Sequence, residues 1–176
     1  MTTSYLVEPL SAAKHRRDEF ACESPELAEF LRTRARKEMQ ARASACFVLV
    51  AEADPGRIVG FYTLSATTIR LSELPPELAK RFPRYPNLPA TLLGRLARDS
   101  AFRGAGLGDY LLTDALQRAF NNTVVIGSVA VVTDPKDEKA GAFYQQYGFR
   151  ASGAAGGRLM LPMTEIAASL QQGGIR

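Results

Sequence analysis

The chain has 176 residues, 46% hydrophobic and 23% charged, with a formal net charge of +4, which suits one globular domain with a full core and excludes a disordered chain. Two cysteines (Cys22, Cys46) and one histidine (His15) without ligand spacing argue against a metal site. MTTSYLVEPL lacks a basic segment followed by an apolar run, and no stretch is long and apolar enough to span a bilayer, so neither signal peptide nor membrane span is expected and the cytoplasm is the default location.

Residues 4–10 read as a short strand. Ser24-Pro25-Glu26 has the chemistry of a helix start, with Ser24 as N-cap and Pro25 at the first helical position. That helix is expected to reach about Ser44, with Leu27, Phe30, Leu31 and Ala35 on its buried face. Cys46–Ala51 and Ile58–Ala66 predict a hairpin closed by Asp54-Pro55-Gly56. Pro75, Pro76, Pro83, Pro86 and Pro89 argue for a short helix and irregular loops over 71–89. Leu92–Ala97 is the next strand, 103–108 a Gly-rich turn, and Asp109 to about Phe120 a helix. Val124–Val132 (VVIGSVAVV) reads as a buried strand, 137–147 as a short helix, Arg158–Leu161 as an extended run, and 170–176 as a polar, frayed tail. This order predicts one α/β domain over 1–176, a mixed sheet with helices on both faces.

The segment Arg103-Gly104-Ala105-Gly106-Leu107-Gly108 lies between an apolar strand and an amphipathic helix. A helix start bares unpaired backbone N–H groups and carries partial positive charge, which suits phosphate. Glycine lets the backbone close on the anion, and Arg103 can add a charge-assisted hydrogen bond. No Gly-Lys-Ser/Thr is present, and the spacing is not G-x-G-x-x-G, so a Walker loop and a dinucleotide fold are poor readings.

Arg103, Gly106 and Gly108, spaced as Arg-x-x-Gly-x-Gly, resemble the pyrophosphate signature of the GNAT acetyltransferases. DEKAGAFYQQYGF at 137–149 resembles the family's late motif. The resemblance implies the GNAT fold: a mixed, mostly antiparallel central sheet with a splayed strand pair. It also implies acetyl-CoA as co-substrate and no metal. Backbone N–H groups near Leu96 and Ala97 would face the thioester oxygen as an oxyanion hole, and Arg98 would contact the pantetheine. Residues Arg103, Gly104, Ala105, Gly106, Leu107 and Gly108 would hold the pyrophosphate. Phe143 would lie beside the pantetheine arm, and Tyr144 would be the catalytic general acid to the leaving sulfur.

The strand LLGRLAR has no carboxylate to act as base, and Asp99 after it supports the loop. A lysine amine (reference pKa about 10.4) needs help to lose its proton, whereas an α-amine (about 7.7–8.0) does not, so an α-amino acceptor is favoured unless a water chain serves. Residues 61–99, together with His15, Phe20-x-Cys22 and RLMLPM at 158–163, resemble the acetyltransferase toxins of type II toxin–antitoxin modules. That resemblance covers about residues 5–163. It implies acetylation of the α-amine of aminoacyl-tRNA, arrest of translation, a ribbon-helix-helix antitoxin and a homodimer. Ala105 departs from the Lys or Arg of many relatives.

Charge placement agrees with a nucleic-acid substrate. Residues 67–106 carry Arg70, Lys80, Arg81, Arg84, Arg95, Arg98 and Arg103 against Glu73, Glu77 and Asp99. Arg32 and Arg36, one turn apart on the predicted helix, are candidate tRNA contacts, and Arg95, a charge inside an apolar strand, is expected to point into the acceptor cleft. His15 is expected to be structural or capping, and the cysteines to be core residues. Two other readings stay open: a GNAT enzyme acting on a small amine or a protein N-terminus, and a non-catalytic acyl-CoA-binding or nucleic-acid-binding module.

Overall fold

The computed structural model of the chain describes residues 2–172. In chain order its elements are β1 (Tyr5–Pro9), α1 (Pro25–Thr33), α2 (Ala35–Gln40), β2 (Ala45–Ala51), β3 (Asp54–Arg70), α3 (Pro76–Ala79), β4 (Asn87–Arg98), α4 (Leu107–Asn121), β5 (Ala130–Thr133), α5 (Glu138–Gln145), β6 (Arg150–Ala151), β7 (Leu159–Pro162) and α6 (Met163–Gln171). The strands form one seven-stranded sheet in the order β1-β2-β3-β4-β5-β7-β6. β1–β2, β2–β3, β5–β7 and β6–β7 are antiparallel, and β4–β5 is parallel. The parallel pair is in register at Thr91↔Val131 and Leu92↔Val132, and β4 runs on to Arg98.

Two compact units emerge, residues 2–65 with 94–115 and residues 66–93 with 116–172. In the first, α1 lays Ala28, Phe30 and Leu31 onto Val48, Val50, Ile58 and Phe61 of the hairpin. Phe20 meets Phe61 edge-on with centroids 5.5 Å apart, and Phe30 stacks on Phe61 at 6.2 Å. Gly60 allows a close approach here: a Cβ would come within 2.7 Å of the Leu111 side chain and 3.0 Å of the Ala97 carbonyl. In the second unit, Leu74, Leu78 and Leu88 pack with Ala130, Val132 and Met160. Gly153, at φ +87, lies where a Cβ would sit 1.9 Å from the Glu73 carbonyl oxygen.

Several expectations are corrected. The helix from Pro25 is two helices, broken at Arg34 (φ −120, ψ −30), and ends at Gln40. The break leaves Ala35 buried in the same core as Phe30. Ser24 occupies the N-cap position, but its side chain makes no capping bond. The hairpin turns at Glu52–Ala53, and Asp54-Pro55-Gly56 opens β3, because β-bulges around Val50 shift the register. β4 starts at Asn87, five residues before the predicted strand. α4 starts at Leu107, so Gly108 lies inside it.

The largest miss is the run Val124–Val132. Only Ala130–Thr133 is strand, whereas Val124, Val125 and Ile126 are 90%, 80% and 65% exposed. A short apolar run does not reveal its own conformation, and here the α4 end continues into a 3-10 turn at Asn122–Val124. β6 and α6 are additions. The predicted tail loses Leu170 and Gln171 to α6, and its last four residues lie outside the described ones.

Candidate active site

The end of β4 is fixed by Asp99. Its buried carboxylate accepts from the Ala101 N–H at 2.8 Å and the Ala21 N–H at 3.1 Å. The Ser100 N–H donates to the Ala21 carbonyl at 2.9 Å, and the Asp99 N–H to the Val59 carbonyl at 2.8 Å. Arg57 stands 3.7 Å from Asp99 and lies over the Phe102 ring at 5.3 Å. The loop-supporting role expected of Asp99 is therefore what the structure shows. From this anchor the chain turns through Gly104 (φ +79) and Gly106 (φ +69), conformations only glycine adopts without strain. The Tyr110 N–H donates to the Gly106 carbonyl at 3.1 Å, closing the first turn of the 15-residue α4.

The residues of this turn fit a phosphate. A Cβ on Gly104 or Gly106 would meet no heavy atom within 4 Å, so the backbone faces open space rather than packed side chains. The glycines are thus demanded by positive φ, not by crowding within the chain. Arg103 Nη2 lies 2.5 Å from Glu23 Oε1. Leu107 is buried and pins the start of α4, while Tyr62 holds the next turns by donating its hydroxyl to Asp114 at 2.5 Å.

Side chains alternate along β4. Ala97 belongs to the core beneath α1, Leu96 is half-buried, and the Arg98 Nε is buried with no hydrogen-bond partner among the described residues. Arg95 shares Ala97's face. Its guanidinium lies 3.6 Å from the Phe30 ring centroid, with Arg34 at 5.2 Å from the same ring and Glu38 Oε2 at 3.9 Å from Arg95 Nη1. Burial pulls Arg95 down from its ordinary pKa, Glu38 opposes that, and Arg34 adds to it. A guanidinium over an aromatic face is held by about 1–2 kcal/mol when partly desolvated. A charge in an apolar strand is therefore accommodated by a stacking partner on α1 and a carboxylate on α2.

Arg32 and Arg36 are exposed, but they sit on different helices because of the break at Arg34. Arg32 Nη1 donates to the Phe20 carbonyl at 3.0 Å, so part of its function is to hold the loop before α1. His15 is structural as expected: Nδ1 accepts from the Ser11 N–H at 2.9 Å, leaving Nε2 to donate to Glu8 at 2.7 Å.

In the second unit, Asp137 caps α5 by accepting from the Ala140 N–H at 2.8 Å, which sets the phase of Phe143 and Tyr144. Tyr144 is buried against Phe149, with Phe143 edge-on at 5.3 Å. Burial raises the Tyr144 phenol above the usual tyrosine range, and the neighbouring Thr133 hydroxyl acts the other way. Thr133 itself donates to the Leu93 carbonyl at 3.0 Å, next to where the β4–β5 register ends. Sequence reasoning missed Thr133, Glu23 and Glu38, which carry no motif of their own and gain meaning only from what the fold sets beside them. Among the described residues no three His, Cys, Asp or Glu side chains gather as a metal site requires, and no helix is long and apolar enough to cross a membrane.

A family model described as an acetyltransferase (GNAT) domain matches residues 44–151, which include β4, the glycine turn and α5. The chain belongs to the GNAT acetyltransferases. Within that family it is 30% identical over 168 residues to the "Probable toxin TacT" of Sinorhizobium fredii, covering 92% of each chain. It is 34% identical over 149 residues to the tRNA-acetylating toxin of Mycobacterium tuberculosis, covering 85% of this chain and 87% of that one. Among solved structures it resembles AtaT complexed with acetyl-methionyl-tRNAfMet, with a TM-score of 0.86, 25% identity and coverage of 94% and 98%. As a GNAT enzyme the chain uses acetyl-CoA, and the matched range contains both the turn at 103–108 and Tyr144.

Proposed function

We propose that this chain is a toxin that transfers the acetyl group of acetyl-CoA to the α-amine of aminoacyl-tRNA and so blocks translation. Supporting it is the absence of any carboxylate on β4 beside the cofactor turn, in a chain similar along nearly its whole length to a tRNA-acetylating toxin. An enzyme without a strand-borne base suits an amine that is already partly neutral near pH 8, as an α-amine is.

Acetyl-CoA supplies the activated acetyl group. Backbone N–H groups of 104–108, at the positive end of α4, hold the pyrophosphate, with Arg98 along the pantetheine and Phe143 beside it. Backbone N–H groups at Leu96 and Ala97 hold the negative charge that develops on the carbonyl oxygen. Tyr144, kept protonated by burial, gives its proton or a hydrogen bond to the departing sulfur. Arg32, Arg36 and Arg95 meet the phosphates and the unpaired end of the tRNA. The chain works as a single catalytic domain and a homodimer, in the cytoplasm, and is neutralised by a ribbon-helix-helix antitoxin.

The test is to incubate the protein with labelled acetyl-CoA and total charged tRNA. Label is expected on the aminoacyl group, released as an N-acetyl amino acid by mild alkali. Unlabelled tRNA alongside active turnover of small amines would reassign the acceptor.

A further inference from the structure

Arg103 carries the only formal charge of the turn 103–108, since position 105 is alanine. In the structure that charge is already matched: Arg103 Nη2 is 2.5 Å from Glu23 Oε1, with side chains 59% and 49% exposed. The position of Glu23 is built, not incidental. Ala21, two residues earlier, is tied to the turn through the Asp99 carboxylate at 3.1 Å and through its own carbonyl to the Ser100 N–H at 2.9 Å. One residue later Ser24 opens α1, and its carbonyl accepts from the Ala28 N–H at 3.3 Å and the Cys22 thiol at 3.0 Å. The 21–24 loop is therefore fastened on both sides of Glu23.

We infer that Glu23 occupies Arg103 in place of the cofactor's pyrophosphate, so that acetyl-CoA binds by exchanging one anion for another and Glu23 sets its affinity. This rests on the assignment of the pyrophosphate to the 103–108 turn. Carboxylate and phosphate both match the guanidinium fork, and arginine cannot escape the competition by losing its proton. A carboxylate left in place beside the incoming phosphates would repel them, so it must turn away. Because the pair is half exposed, the penalty is modest, and Glu23 tunes binding rather than forbidding it. The pyrophosphate is the chosen partner because Arg103 immediately precedes the backbone that would hold it.

The experiment is a calorimetric double-mutant cycle at low ionic strength with acetyl-CoA as the ligand. E23Q is expected to tighten binding about two- to fivefold, R103A to weaken it, and E23Q/R103A to match R103A. The gain in E23Q is expected to persist with 3′-dephospho-CoA. Unchanged affinity in E23Q, or the same gain in the R103A background, overturns the exchange. Loss of the gain with 3′-dephospho-CoA overturns the pyrophosphate as the competing anion. Gly106→Glu separates the layers: it is expected to abolish binding by charge and clash, and wild-type affinity in that variant removes the turn assignment itself.

Discussion

The Thr133 hydroxyl on β5 donates to the Leu93 carbonyl on β4 at 3.0 Å, one residue past the last registered pair of the two parallel strands, Leu92↔Val132. The same Thr133 side chain stands against the Tyr144 phenol. Thr133→Val keeps the shape and removes the hydroxyl donor to the Leu93 carbonyl. The expected cost is about 1–2 kcal/mol, or a fall in Tm of about 2–8 °C for a chain of this size. Thermal unfolding checks it; an unshifted Tm means the bond contributes nothing.

Tyr144→Phe should lower kcat about 100-fold or more, within the range of general-acid contributions, while acetyl-CoA affinity stays within about twofold. The pH profile carries a second signature. A raised phenol pKa keeps the proton donor intact through the alkaline range. The rate should rise as the acceptor amine loses its proton and then hold a plateau, with no alkaline fall until above the ordinary tyrosine value of about 10. A descending limb centred near pH 8 would exclude Tyr144 as the acid.

Arg32 and Arg36 should separate. Arg36 is exposed on α2, so Arg36→Glu is expected to weaken aminoacyl-tRNA binding severalfold without moving Tm. Each lost phosphate contact lowers the slope of log K against log salt by about 0.7–0.9. Arg32→Glu removes the donor to the Phe20 carbonyl as well, and should lower both tRNA affinity and Tm. Filter binding over a salt series beside thermal unfolding decides it. Equal salt slopes in wild type and Arg36→Glu would retire α2 as a tRNA face.

The two thiols should also differ. Burial pushes Cys46 up to about 12, whereas Cys22 is half-buried. Since the thiolate is the reactive form, a disulfide reagent at pH 8 should titrate one thiol quickly in the native protein and the second only after unfolding. Cys22→Ser should abolish the fast phase. Two equally fast thiols would contradict the burial of Cys46.

What was legible in the sequence was what local chemistry fixes. The glycine-rich turn at 103–108, Asp99 as the support of the loop after β4, and Phe30 and Leu31 as a buried helix face are each signalled by a few adjacent residues. The break at Arg34 was hidden because apolar spacing continues across it to Ala35. Val124-Val125-Ile126 was misread because an apolar run says nothing about whether the fold has a place for it. A charge within an apolar strand marks Arg95 in the sequence, but not its surroundings. Its stack on Phe30 and its nearness to Glu38 depend on two helices packing across the strand, which no sequence window contains.

Asp99 joins the fold to the turn proposed to hold the cofactor, and its removal should show in both. Its carboxylate is buried and accepts from Ala21 and Ala101 N–H groups that belong to different segments of the chain. Hydrogen bonds to a charged group contribute about 1.5–3 kcal/mol each and are not additive, so Asp99→Ala should cost about 2–4 kcal/mol in urea unfolding. Asp99→Asn retains one acceptor and should lie between alanine and wild type. Because the same carboxylate holds the 3-10 turn ahead of Gly104, the folded fraction of Asp99→Ala should bind acetyl-CoA more weakly than Asp99→Asn. Equal cofactor affinity in the two variants, measured under conditions where both are folded, would show that the turn keeps its shape without this staple.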